Sequence, residues 1–303
     1  MELIDIARPG LMVSQTWPDA RKCEGETRRA VEEVLRHGYF TAIQTSDVPF
    51  PAERKALSGL VAQHGLASTY SLSNLLLDQR LDLAGTDEST RRRGWTTVAA
   101  ALESAVEAGA DTVSLSIGPG PAEGPLKTSA LLHLAESLYR LAQTAKQYPG
   151  LRLLIEPFDQ DPRQRNPLDA TADSVALCRK LAGRDVPLYL CLDTAHLTLN
   201  KESVGPALRS AIPFVLELQF CNCVTDPHDE RFGERGIPFG APGFLDVHAM
   251  GDILREALDA RFLDPVRKPL LFCDVHKTST EDPHHLMDVC EAMFHGAWEL
   301  AHR

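Results

Sequence analysis

Short apolar runs alternate along the chain with longer stretches whose apolar positions recur every three or four residues. The short runs predict strands at Leu11–Thr16, Thr41–Thr45, Ala67–Leu72, Thr112–Ser116, Arg152–Pro157, Pro187–Asp193, Phe214–Phe220 and Pro269–Val275. They are leucine-rich or β-branched and short, as strands buried on both faces of a parallel sheet should be. The longer stretches predict helices, among them Glu26–His37, Thr90–Ala108, Ser129–Gln147, Thr171–Leu181, Asp246–Ala260 and Pro283–Ala301. In the second of these, Val98, Leu102, Ala105 and Val106 share one face. Gly109 follows as a stop, free to take a positive φ. Eight strands alternating with helices predict an α/β fold, a (β/α)8 TIM barrel in a single domain spanning residues 1–303. No linker, low-complexity tract or repeat divides the chain. Asn74–Ser89 and Cys221–Leu245 lack periodicity and follow the third and seventh strands. Both are βα connections, on the barrel face that carries chemistry, and long loops there are usually functional.

Composition narrows the partners. With 42 acidic against 31 basic residues, the formal charge is -11. That balance repels phosphate backbones and anionic membranes, so neither nucleic acid nor a membrane is an expected partner. Seven cysteines, an odd number, sit mostly in apolar runs and read as buried reduced thiols. Cys221-Asn-Cys223 has strand spacing that puts two thiols on one face, but no second Cys/His pair is suitably spaced to complete a metal site. The N-terminus lacks a signal-peptide layout, and no apolar run approaches the roughly 18 residues that span a bilayer. A cytoplasmic location is the default expectation.

The later strands end on polar groups in a common register. The fifth ends in Glu156, the sixth in Asp193 with His196 three residues on, the seventh in Gln219, and the eighth in Asp274 followed by His276 and Lys277. In a closed barrel these ends are neighbours. Carboxylates converging on one buried point call for a cation or for a raised pKa. Each residue also has a purely structural reading. Glu156 could be a strand-end ion pair, Asp193 a helix cap, His196 a hydrogen-bonded core histidine and Gln219 a satisfied interior amide.

At these residues the sequence resembles the xylose isomerase-like barrel superfamily, in its sugar isomerase/epimerase branch. In that family a Glu ends strand five, Asp-x-x-His ends strand six, His or Gln ends strand seven and Glu ends strand eight. Glu156, Asp193 with His196, and Gln219 match in place and order. Gln219 resembles the hydroxypyruvate isomerase type, whereas ketose 3-epimerases have His there. Asp274 departs from the family's Glu and is one methylene shorter, which puts its reach toward a substrate in question. The loop Asn222–Gly240 resembles that of catalytic subunits of 3-keto-glycoside lyases and C-glycoside deglycosidases. Apurinic endonucleases share the barrel but need further metal-binding histidines, and strand four here ends Ser114-Leu-Ser-Ile.

The resemblance implies one divalent metal on Glu156, Asp193, Gln219 and Asp274, an all-oxygen set that favours Mn2+ or Mg2+. It implies a sugar or keto-sugar substrate, with Glu156 and Asp274 as acid/base groups and His196 on a substrate oxygen. A metal-stabilised enediolate would follow removal of a proton next to a carbonyl. His228, Arg231, Arg235 and Lys277 are placed as candidates for distal hydroxyls or a phosphate, and Trp17 and Phe158 for packing on a sugar face. One alternative is a 3-keto-glycoside lyase working by β-elimination, with a small partner subunit. Another is a sugar-binding barrel without catalysis. A homo-oligomer is compatible with each.

Overall fold

The computed structural model describes residues 1–117, 124–159, 167–277 and 281–302. Eight parallel strands form its centre: β1 Arg8–Met12, β2 Ala42–Ser46, β3 Ala67–Ser71, β4 Thr112–Ser116, β5 Arg152–Glu156, β6 Tyr189–Asp193, β7 Val215–Cys221 and β8 Leu270–Asp274. They close in the order β1-β8-β7-β6-β5-β4-β3-β2, with β1 paired to both β2 and β8. Helices cover the outside, and their apolar faces join the outward side chains of the strands in one large core. Among the described residues no helix is long and apolar enough to cross a membrane.

Local chemistry explains the boundaries. The helix Glu88–Glu107 begins two residues earlier than its periodicity predicts, because the Asp87 side chain accepts from the Thr90 amide. Gly109 takes a φ of +81° after that helix, and a Cβ there would lie 2.8 Å from the Ser58 backbone. The first strand is a correction. It was expected at Leu11–Thr16 but occupies Arg8–Met12, and Val13–Thr16 form a helical turn. Pro9 and Gly10 have poor strand propensity, which hides the strand in the sequence. Tertiary fit overrides that preference, because Gly10 faces the barrel interior where the Phe272 ring fills the space a side chain would need. The other strands lie within two residues of expectation. Within the non-periodic stretch after β3, Ser73–Asp78 form a short helix.

The barrel interior changes character along its axis. Within it, Met12, Ala42, Ala67, Leu270 and Phe272 form a separate apolar plug. Two residues further along their strands come buried polar groups: Gln44 after Ala42 and Thr69 after Ala67. Thr69 donates to Glu217, and the Gln219 amide donates to Gln44 Oε1 at 3.2 Å. The pairing of β6 with β7 slips by one residue, from Leu190↔Val215 to Cys191↔Glu217. This bulge aligns Glu217 with Cys191 and Gln219 with Asp193, so the polar series on β7 shares a face with the end of β6.

A Cβ on Gly10 would meet Phe272 at 2.5 Å and Ala42 Cβ at 2.9 Å. Gly10→Ala is therefore expected to destabilise the protein by about 1–3 kcal/mol in urea unfolding. Adding Phe272→Leu should recover part of that loss, and strictly additive effects would contradict this packing.

Candidate metal and acid-base site

The strand ends β5, β6, β7 and β8 bring Glu156, Asp193, Gln219 and Asp274 to the C-terminal mouth, each less than a tenth exposed. Asp193 holds two roles at once. One carboxylate oxygen caps the helix Thr194–Leu199 by accepting from the Ala195 and His196 amides at 2.8 and 3.0 Å. That cap fixes the carboxylate and also turns His196, on the first turn of the helix, back over the mouth. His196 Nε2 lies 3.9 Å from Glu156 Oε1, and its Nδ1 lies 2.6 Å from Asp159 Oδ2. The Phe158 ring packs on the imidazole at a centroid distance of 4.5 Å.

On the other side of the mouth, His276 Nε2 approaches Asp274 at 3.2 Å and Glu234 at 3.9 Å. Glu234 comes from a two-residue hairpin, Cys223–Val224 against Gly233–Glu234, within the long loop after β7. Asn222 pins that loop. Its amide donates to the carbonyls of Pro238 and Gly240, and its oxygen accepts from the Leu245 amide. Gly236, at φ +63°, packs against the His276 ring so closely that a Cβ would lie 2.3 Å from it. The loop is thus seated on the mouth through its glycine.

The electrostatics are those of too many buried acids. Burial raises the pKa of Glu156, His196 opposes that, and Asp193 and Asp274 add to the rise. Asp193 is raised for the same reasons. Burial alone would neutralise His196, but Asp193, the Asp159 hydrogen bond and Glu156 outweigh it and push its pKa up to about 10. His276 is likewise carried up to about 9, against its burial, by Asp274 and Glu234. Both imidazoles are therefore cations near neutral pH.

A divalent cation fits this arrangement. Asp193, Cys221 and Asp274 each offer a ligand atom within 4.8 Å of the others. Gln219 Oε1 is buried with no hydrogen-bond partner, an acceptor for which an ion is a natural occupant. Glu156, coupled electrostatically to Asp193 and Asp274, stands beside them.

The structure does not bring all the expected substrate groups to this point. Phe158 and His196 are at the mouth. Trp17 is half-buried and packs on the core. Lys277 is half-buried, with its amide tied to the Gln15 carbonyl. Arg231 is exposed and binds Asp229 through Nε and Nη2. Arg235 is exposed and donates to the Phe232 carbonyl, and His228 is exposed. Two groups at the mouth, Asp159 and Glu234, have no signal in the sequence, and Cys221, weighed there only as half of a Cys221–Cys223 pair, stands instead with Asp193 and Asp274. A larger cavity of about 480 Å³ lies at the opposite, N-terminal end, ringed by Arg8, Arg152, Arg267 and Lys268. Their hydrogen bonds run to backbone carbonyls and Asp111, and the strand-end carboxylates are not among its lining.

The family model of the xylose isomerase-like TIM barrel matches residues 31–259. The chain belongs to that family. A search of curated proteins by sequence gave no match. Among solved structures, an L-ribulose 3-epimerase superposes with a TM-score of 0.75 at 21% identity, covering 98% of this chain and 96% of that one. The 3-keto-D-glucoside 4-epimerase YcjR of E. coli gives 0.66 at 16% identity, covering 95% and 99%. An IolI protein with a bound zinc atom gives 0.65 at 14% identity, covering 97% and 96%. At these identities the superpositions establish a shared fold.

Glu217 lies below the mouth, fully buried, with Oε2 lacking a hydrogen-bond partner. Burial, partly offset by the Thr69 hydrogen bond, pushes its pKa up to about 7. A raised pKa means the native state binds the proton more tightly than the unfolded chain. Its contribution is intact below the unfolded pKa of 4.5 and lost as pH rises toward 7. In metal-free protein, the stability of Glu217→Gln relative to wild type should therefore climb over that window, by up to about 1.4 kcal/mol per pH unit. It should level off above the window. Urea unfolding at a series of pH values checks this, and a pH-independent difference would contradict it.

Proposed function

We propose that the protein is a divalent-metal-dependent sugar isomerase or epimerase that removes a proton next to a carbonyl. One observation carries this reading. Three buried carboxylates and the partnerless oxygen of Gln219 stand together at the barrel mouth, beside a histidine held as a cation. Glu156, Asp193, Gln219 and Asp274 would hold the metal, which when bound supplies Lewis-acid polarisation of a carbonyl and its neighbouring hydroxyl. Glu156 acts as the base, its carboxylate held at the end of β5 with Oε1 3.9 Å from His196 Nε2. His196, oriented by Asp159 and backed by Phe158, donates its Nε2 proton to a substrate oxygen. Asp274 serves as the second acid/base group. It is shorter than the Glu of the resembled family, and His276 Nε2 lies 3.2 Å from it. The epimerase names of the similar structures support the same class of chemistry.

The seated loop after β7 favours a second reading, a 3-keto-glycoside lyase. The first step is the same proton removal by Glu156, and expulsion of an aglycone follows in place of reprotonation. The name of the 3-keto-D-glucoside 4-epimerase supports a keto-glycoside as a ligand of such a mouth.

Metal analysis of the purified protein should find about one equivalent of a divalent ion, lost in Glu156→Gln and Asp193→Asn variants that remain folded. With metal restored, Glu156→Gln should lower turnover by about 100-fold or more. Interconversion of ketoses supports the isomerase, and aglycone release from a 3-keto-glycoside supports the lyase. A native protein that takes up no metal would overturn the reading. Metal uptake without turnover of any such compound would leave a sugar-binding barrel.

A further inference from the structure

We infer that Cys221 is a ligand of the metal centre, making it a mixed sulfur–oxygen site that selects Zn2+ over Mg2+ and Mn2+. The inference rests on the metal reading above and deepens it. Cys221 closes β7 directly opposite Asp274 in the β7–β8 register, while Asp193 pairs with Gln219 one inward step below. The thiol therefore enters the mouth between the ends of β6 and β8. Its Sγ is within 4.8 Å of ligand atoms of both Asp193 and Asp274, and the residue is 1% exposed.

Two further observations favour sulfur as a ligand. The Gln219 amide nitrogen is committed to Gln44, which directs this side chain across the barrel interior. Its oxygen, though partnerless, is fixed by that bond, and Cys221 stands two residues further along β7, nearer the mouth. The second is a proton acceptor. Glu234 Oε1 lies 3.8 Å from Cys221 Sγ, and the hairpin amide of Gly236 holds the same oxygen at 2.7 Å. On metal binding the S–H bond breaks, the S–metal bond forms and the proton passes to Glu234 or to water. No electron is transferred. Thiolate is a soft ligand that suits Zn2+, whereas carboxylate and carbonyl oxygens alone suit Mg2+ and Mn2+.

The test is titration of metal-free protein with Co2+, followed by absorption. Wild type should show visible d–d bands and a near-ultraviolet sulfur-to-cobalt charge-transfer band. Cys221→Ser should keep the visible bands and lose the near-ultraviolet one, while Cys223→Ser and Cys191→Ser keep both. Cys221→Ser should also lose at least about tenfold in Zn2+ affinity, the smaller effect expected even of an outer partner, with Mn2+ affinity changing less. Should Cys221→Ser not fold, zinc-edge X-ray absorption of wild type decides the matter by sulfur scattering near about 2.3 Å. Cobalt uptake with no near-ultraviolet band, or a band that survives Cys221→Ser, would overturn the sulfur ligand and leave an oxygen-bound metal. No cobalt uptake at all would overturn both readings.

Discussion

The structure turns on the cost of burying like charges at one point. Glu156, Asp193 and Asp274 end three strands of a closed barrel, each nearly removed from water, and Glu217 lies beneath them. Buried carboxylates of one sign are tolerated only when they take up protons or find a cation. Here the protein supplies two cations from its own chain, His196 against Glu156 and His276 against Asp274. Both imidazoles sit at the rim, and Asp159 and Glu234 claim them in turn. The centre keeps an acidic surplus and an unused amide oxygen. That surplus is what the proposed divalent metal would neutralise.

The rest of the fold keeps the groups in place. The bulge between β6 and β7 aligns Gln219 with Asp193. The Asp193 cap couples the strand end to the helix that carries His196. Asn222 fastens both ends of the loop after β7, so Glu234 and Gly236 meet His276 at a fixed place. Beneath the site, the Gln44–Gln219 and Thr69–Glu217 contacts put a polar layer beside the apolar plug of the barrel interior. They give polar groups on the floor of the mouth partners that would otherwise be lacking.

Much of this was legible in the sequence because strand periodicity and strand termination are local signals. Apolar runs that stop on Glu156, Asp193 and Asp274 announce both the strand and its mouth-facing end. The first strand is displaced from its expected place because Gly10 is set by its fit against Phe272, a residue more than 250 positions away. In the sequence Cys221 offers only a buried thiol or half of a Cys221–Cys223 metal pair, since its neighbourhood with Asp193 and Asp274 exists only once β7 lies between them. Asp159 and Glu234 lie in connections without periodicity, where partner choice depends on how the loop folds back. Arg231 and Arg235, expected as substrate groups from their place on a long loop, are exposed and hydrogen-bond locally to Asp229 and the Phe232 carbonyl.

The central claim is that this mouth removes a proton from carbon next to a carbonyl, with Glu156 as the base. It is tested most directly by nuclear magnetic resonance in deuterium oxide, following hydrogen exchange at the carbons flanking the carbonyl of L-ribulose and of a 3-keto-D-glucoside. The account predicts metal-dependent exchange into at least one of them, faster than in protein-free controls and abolished in metal-reconstituted Glu156→Gln. Exchange that persists unchanged in Glu156→Gln, or none in either compound with a fully loaded metal site, would contradict it.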